Sequence, residues 1–134
     1  MRISWLLVPA FTLLPACSDN DEKAEEKLER AAGTSATVAG PLPAALGLSE
    51  AQLLEADIVG TDGKELGDVA QVVRDADGKV DRLLVELDGS GPDRYVHVPV
   101  TGLKTVVSGT DTDLQTTMTK ADLAALPEVT LPAP

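Results

Sequence analysis

The stretch ADIVGTDGKELGDVAQVVRDADGKVDRLLVEL, residues 56–87, decides the fold. Its apolar runs are short and rich in Val, Ile and Leu, and each ends at a glycine-bearing turn. Thr61-Asp62-Gly63 closes the first run and Asp75-Ala76-Asp77-Gly78 the second. Asp-Gly between such runs is a strong hairpin signal, because the glycine accepts a positive φ at no steric cost. Alternation is legible inside the runs. Asp81, Leu83, Val85 and Leu87 share one face, with Arg82, Leu84 and Glu86 on the other. The run around Val69, Ala70, Val72 and Val73 is apolar on both faces, which predicts a strand covered on both sides.

The rhythm continues outward. DGSGPD (88–93) reads as a hairpin loop, and RYVHVPV (94–100) as a strand. Val96, Val98 and Val100 share one face of that strand, opposite Tyr95 and His97. LKTVV (103–107) and LQTTMT (114–119) add two more strands. Strands every ~10–15 residues suit a small antiparallel barrel or sandwich. Thr119-Lys120-Ala121-Asp122 has the form of a helix cap, predicting a short helix through Leu126 that stops at Pro127 and closes one end of the barrel. Ser49-Glu50-Ala51-Gln52 has capping-box spacing and predicts another short helix through Leu54, and Pro43 to Leu46 a first turn stopped at Gly47. EVTLPAP (128–134) reads as a loose tail.

Residues 50–128 resemble the PRC-barrel domain. The resemblance is carried by the opening strand, the D-G turn, Gly67 before an apolar strand, the D-x-D-G turn, Leu-Leu-Val-Glu (83–86), the Val98-Pro99 close of the fourth strand, and MTKADLAALPEV (118–129). It implies a small β-barrel of the kind found in the H subunit of photosynthetic reaction centres and in a ribosome maturation factor. Both act by binding other macromolecules. It implies no catalytic or ligand residue. The expected fold is therefore mostly β, an antiparallel barrel with a short C-terminal helix.

Composition limits the function. The chain has 134 residues, 11 Lys plus Arg against 22 Asp plus Glu, and a net charge of -11. Such a surface repels phosphate backbones, so no nucleic-acid partner is expected. Apolar residues make up 43% of the chain, enough for one folded core. Trp5, Phe11 and Tyr95 are its only aromatics.

The N-terminus suggests location. Arg2 precedes an apolar run, Ile3 to Leu14, interrupted by Pro9. The run is shorter than the ~20 residues a spanning helix needs, and it fits a signal-peptide core of about 7–15 residues. Leu14-Pro15-Ala16-Cys17 then resembles the lipobox of bacterial lipoproteins, although Pro15 is less usual there than Ala or Ser. That resemblance implies cleavage after Ala16, with lipid on the Cys17 sulfur and on the new amino terminus. Each buried CH₂ adds ~0.8 kcal/mol, so two or more chains anchor stably. Ser18 after the cysteine points, by resemblance to bacterial sorting signals, to the outer rather than the inner membrane, with the domain facing the periplasm; Asp19 one place later weakens that signal. A secretory signal with a chance cysteine, or an uncleaved anchor, are the competing readings.

The expected organisation is a removed signal peptide (1–16), Cys17 with a flexible tether (17–48), the barrel (49–128) and the tail (129–134). SDNDEKAEEKLER (18–30) reads as a solvated, frayed helix or coil, and AAGTSATVAGPLP (31–43) as a flexible linker.

No catalytic constellation is present in the sequence: no G-x-S-x-G, P-loop or G-x-G-x-x-G. His97 is the single histidine and Cys17 the single cysteine, so a typical zinc site cannot be built. Asp75, Asp77 and Gly78, with Glu86 twelfth from Asp75, resemble a calcium loop. Lys79 and Val80 occupy positions that such a loop needs for ligands and its turn glycine. Asp111-Thr112-Asp113 reads as a turn. No cofactor or metal site is expected. Tyr95 and His97 are the candidate interface residues and Cys17 the lipidation site. The function expected is a membrane-anchored, non-catalytic adaptor or assembly module with a protein partner. The alternative is a periplasmic small-ligand or cation-binding protein that uses its acidic turns.

Overall fold

The computed structural model describes residues 19–89 and 93–131. Twelve elements follow one another: α1 (Asp19–Ala39), β1 (Pro43–Ala45), β2 (Leu48–Ser49), α2 (Glu50–Leu54), β3 (Asp57–Val59), β4 (Glu65–Arg74), β5 (Val80–Leu87), β6 (Arg94–Pro99), a 3-10 turn (Val100–Gly102), β7 (Leu103–Ser108), β8 (Asp111–Thr116) and α3 (Lys120–Ala124). Among the described residues no helix is long and apolar enough to cross a membrane.

The protein is mostly β, as the sequence predicts. Six strands form one sheet in the order β6-β5-β4-β3-β8-β7. The glycines at both Asp-Gly turns take positive φ, 80° at Gly63 and 81° at Gly78. The expectation of a fully antiparallel, closed barrel is corrected in two respects. β3 pairs with β8 in parallel, Ile58 opposite Leu114. The sheet also does not close, since β6 and β7 are its two edges. The β6 edge is occupied by the C-terminal segment instead. Val96 bridges Glu128, and the Val129 N–H donates to the Tyr95 carbonyl at 2.7 Å. Residues 128–131 are therefore not a loose tail: Val129 and Leu131 pack against Leu84 and Tyr95.

The core is aliphatic. Leu53, Ile58, Leu83, Val85, Val96, Leu114 and Leu123 are each at most 1% exposed. Val69 and Val72 join them on the same face, although strict alternation would separate residues three apart. A β-bulge explains this. Val69 pairs with Val85 and Gln71 with Leu84, leaving Ala70 as the extra residue. The bulge re-aims the strand, so that Ala70 and Val73 reach the outer face.

Both short helices open on complete capping boxes, Ser49 with Gln52 and Thr119 with Asp122. α3 runs over 120–124 and inserts Leu123 into the core. Pro43 to Gly47 is a hairpin rather than a helical turn. Leu46 and Gly47 have φ of 53° and 74°, the two positive values of a type I′ loop.

The largest difference lies in residues 19–39, expected as frayed or flexible and found as one helix. Leu28, Ala32 and Ala36 recur every fourth residue and are buried. They form a narrow stripe that lies against β4 and α2. The helix owes its order to that tertiary contact, because its own sequence carries like-charged i,i+4 pairs and a central Gly33.

Candidate functional site

Tertiary structure gathers carboxylates along the outer face of the sheet. Three carboxylates and one phenol come from residues next to core positions: Asp57 before Ile58, Asp68 before Val69, Glu86 after Val85, and Tyr95 before Val96. Alternation therefore turns all four outward. Register then aligns them. Asp57 stands opposite Asp68, Asp68 opposite Glu86, and Glu86 opposite Tyr95. The result is one row across β3, β4, β5 and β6, with three acids side by side. Like charges directly opposite one another destabilise a sheet, so the row costs stability.

Neighbouring acids extend it into two groups. Carboxylate oxygens of Asp57, Glu65 and Asp68 lie within 4.8 Å of one another, as do those of Glu25, Glu86 and Asp93. Glu25 comes from α1, which lies over this end of the row.

The crowding shifts protonation. Burial, a hydrogen bond with Asp68, and the charges of Glu65, Asp68 and Asp113 push the Asp57 carboxyl up to about 6. The charge of Asp88 and then burial raise Glu65. Burial raises Glu86, as do the charges of Asp93, Asp68 and Asp88, against a smaller opposing effect of its hydrogen bond with Tyr95. The Tyr95 phenol is pushed up, first by burial and then by Glu86 and Glu25, and it also hydrogen-bonds Glu25. It stays a neutral hydrogen-bond donor.

A cleft of about 380 Å³ runs between α1 and the sheet beside the row. Leu28, Ala32, Leu54, Val69, Ala70 and Tyr95 supply its apolar lining, and Glu25, Glu29, Asp68 and Glu86 its acidic one. Chemically, this surface attracts cations and accepts hydrogen bonds. Oxygen-only donors of this type suit Ca²⁺ or Mg²⁺ rather than zinc.

The family follows from residues 49–121, which match the PRC-barrel domain and make up more than half of the sequence. The chain belongs to the PRC-barrel family. No curated protein matches it. PRC-barrel domains are small and generally non-catalytic modules.

The PRC-barrel frame distributes the sequence-predicted residues unevenly. Tyr95 is 6% exposed and lies under α1 with Leu28 and Leu84, so it is not an open surface anchor. His97, two residues along the same strand, is half-buried. Its pKa is pushed down by burial and by the charge of Arg82. Cys17, the expected lipidation site, lies outside the described residues, as do residues 90–92 of the expected hairpin loop. The calcium-loop resemblance at Asp75 is accounted for by the turn itself: one Asp75 carboxylate oxygen accepts from the Asp77 and Lys79 N–H groups at 2.9 and 3.0 Å. Glu86 belongs to β5 and faces Asp68 and Tyr95 instead.

Sequence reasoning missed the acidic row and Glu50. Glu50 is 2% exposed. Ser35 of α1 donates to it at 2.7 Å, and Arg74 of β4 at 3.2 Å. One carboxylate thus ties α1, α2 and β4 together. Arg94 similarly ties β6 to the turn after α3, donating to the Leu126 carbonyl at 3.0 Å.

Proposed function

We propose that this PRC-barrel protein is a lipoprotein of the bacterial cell envelope, anchored through Cys17 and facing the periplasm. Its barrel-like domain acts as a non-catalytic binding module for another protein. The observation that carries the reading is the pairing of a PRC-barrel domain with the Leu14–Cys17 lipobox, itself preceded by a charge and an apolar run. The outer membrane is the favoured side because Ser18 follows the cysteine.

The helix α1 changes how the domain would be presented. Its described part begins at Asp19, two residues past Cys17. Twenty-one helical residues span ~30 Å at about 1.5 Å each. A docked α1 runs along the domain instead of extending away from it, so the domain sits close to the bilayer.

Cys17→Ala tests the anchor. The variant is expected in the soluble fraction, or retained as an unprocessed precursor. The unaltered protein is expected in the membrane fraction, with a mass that shows acyl groups. Unchanged fractionation of the variant overturns the reading. The second reading, cation binding, is favoured by the converging carboxylates of the acidic row rather than by the acidic turns. Millimolar calcium separates the two: a large rise in melting temperature supports cation binding, and a negligible one supports the protein-binding module.

A further inference from the structure

The fit of α1 to the sheet beneath it is poor in two ways that point to a better occupant. The first is volume. Of the three apolar α1 residues buried among those described, only Leu28 is large, and the others are Ala32 and Ala36. The cleft of about 380 Å³ remains between helix and sheet. Gly33 lines it, and a Cβ built on Gly33 would meet nothing within 4 Å. Gly33 is itself exposed at the rim, so a larger apolar side chain there has room to lean over the cleft. The helix also gains little from its own sequence. Thr34 and Thr37 donate back to the carbonyls of Arg30 and Gly33 at 2.9 and 2.8 Å, a pattern that slightly weakens and bends helices.

The second is charge. At its N-terminal end α1 brings Glu25 to within 4.8 Å of Glu86 and Asp93. The Tyr95 hydroxyl that Glu25 engages also engages Glu86. A Lys or Arg in the place of Glu25 would meet Glu86 and Asp93 with opposite charge, in a partly buried setting where screening is weak.

We propose that the sheet face under α1 is a docking groove for a basic amphipathic helix of a partner protein, with α1 as its displaceable intramolecular occupant. The partner helix carries Lys or Arg facing Glu86 and Asp93. It places large apolar side chains where α1 has Ala32 and Gly33. This rests on the protein-binding reading above and gives that partner its chemistry. Tethering gives α1 an effective concentration on the order of millimolar, so the partner must fit better than α1 does. The two mismatches leave room for that.

The test uses labelled peptides and the full chain. One peptide has the sequence of residues 19–39 with Glu25→Lys and Gly33→Leu; the control carries Gly33→Leu alone. The receptor is the chain with Leu28→Asp, a buried charge expected to release α1 from the groove. The basic peptide is expected to bind at least ~10-fold tighter than the control, a factor that corresponds to about 1.4 kcal/mol. Binding should weaken on the unaltered chain, and the preference should vanish with Glu86→Lys. Equal binding of the two peptides, or binding of neither, overturns the proposal.

Hydrogen exchange on the unaltered chain gives a second reading that does not depend on Leu28→Asp folding. The α1 amides are expected to exchange faster than those of β5, and Glu25→Lys in the chain should slow them ~10-fold. An α1 that exchanges only together with β5 overturns displacement. The Cys17→Ala fractionation is independent of these outcomes, so a failed groove is distinguishable from a failed anchor.

Discussion

Arg74 lies 3.2 Å from Glu50, a carboxylate only 2% exposed, across a sequence separation of 24 residues. Glu50 is the first residue of α2, directly after the Ser49 cap, and Arg74 ends β4 just before the Asp75 turn. The pair joins the helix to the hairpin, and Ser35 adds α1 through the other carboxylate oxygen. Removing one partner of a buried pair is costly because the remaining charge cannot return to water.

Arg74→Ala is therefore expected to destabilise the fold by about 2–3 kcal/mol, below the largest losses for buried pairs because the arginine is itself 36% exposed. Glu50→Gln should cost less, since an amide still accepts from Ser35 and leaves no buried charge. Urea unfolding of both variants and of the double variant measures the coupling. Strictly additive losses would show that the pair does not act as a unit.

Gly67 sits where the backbone of the neighbouring strand leaves no room for a side chain. It pairs with Leu87 on one side and Ile58 on the other. A Cβ there would collide with the Glu86 carbonyl oxygen and meet Val85 Cγ1 at 3.0 Å. The first obstacle is backbone and cannot rotate away. Gly67→Ala is expected to cost about 1–3 kcal/mol through forced strand displacement. Gly89→Ala, whose Cβ meets nothing within 4 Å, serves as the control with little effect on thermal melting.

What the sequence discloses is local, and what it conceals depends on register. The Asp-Gly turns, both capping boxes and the separation of Leu83 and Val85 from Leu84 follow from short-range chemistry, and each is found. The bulge at Ala70 has no such signature, and without it Val69 and Val72 cannot be placed on one face. The acidic row is invisible for the same reason. Asp57, Asp68, Glu86 and Tyr95 are unremarkable until pairing aligns them. The parallel contact of β3 with β8 joins distant segments, and the C-terminal residues reach β6 only after the chain has crossed the sheet. For α1 a signal does exist, the spacing of Leu28, Ala32 and Ala36. It is one residue wide and mostly alanine, too faint to stand out from the charges around it.

The cap of α2 offers a local test of how much short-range chemistry contributes. The Ser49 hydroxyl accepts from the Gln52 N–H at 3.3 Å, and the Gln52 side chain accepts from the Ser49 N–H at 2.9 Å. Ser49→Ala should cost about 1 kcal/mol. That corresponds to a fall in melting temperature of roughly 4–8 °C for a domain of this size. A larger loss, together with faster exchange in α1, would mean that the cap also orients Glu50 toward Ser35 and Arg74.

The acidic row makes a prediction about pH whose sign is fixed by Asp57. Its carboxyl titrates near 6 in the folded protein against an ordinary 3.8, so the folded state holds the proton more tightly. Stability from this group is complete below 3.8 and is lost as pH rises through about 6. Asp68 and Glu65 on β4 and Asp113 on β8 are the charges that face it. The raised carboxyls of Glu65 and Glu86 act in the same direction. His97 acts oppositely, because its lowered pKa favours the neutral ring in the folded state, a contribution present above 6.5 and lost as pH falls below it. Asp57→Asn isolates the carboxylate. At pH 7.5 the variant is expected to be more stable than the unaltered protein by about 1 kcal/mol, after allowance for solvent screening. Near pH 4 most of the advantage should disappear, because the native carboxyl is then protonated and equally neutral. Urea unfolding at the two pH values gives both differences, and an advantage that persists at pH 4 would place its origin in packing rather than in the repulsion of the row.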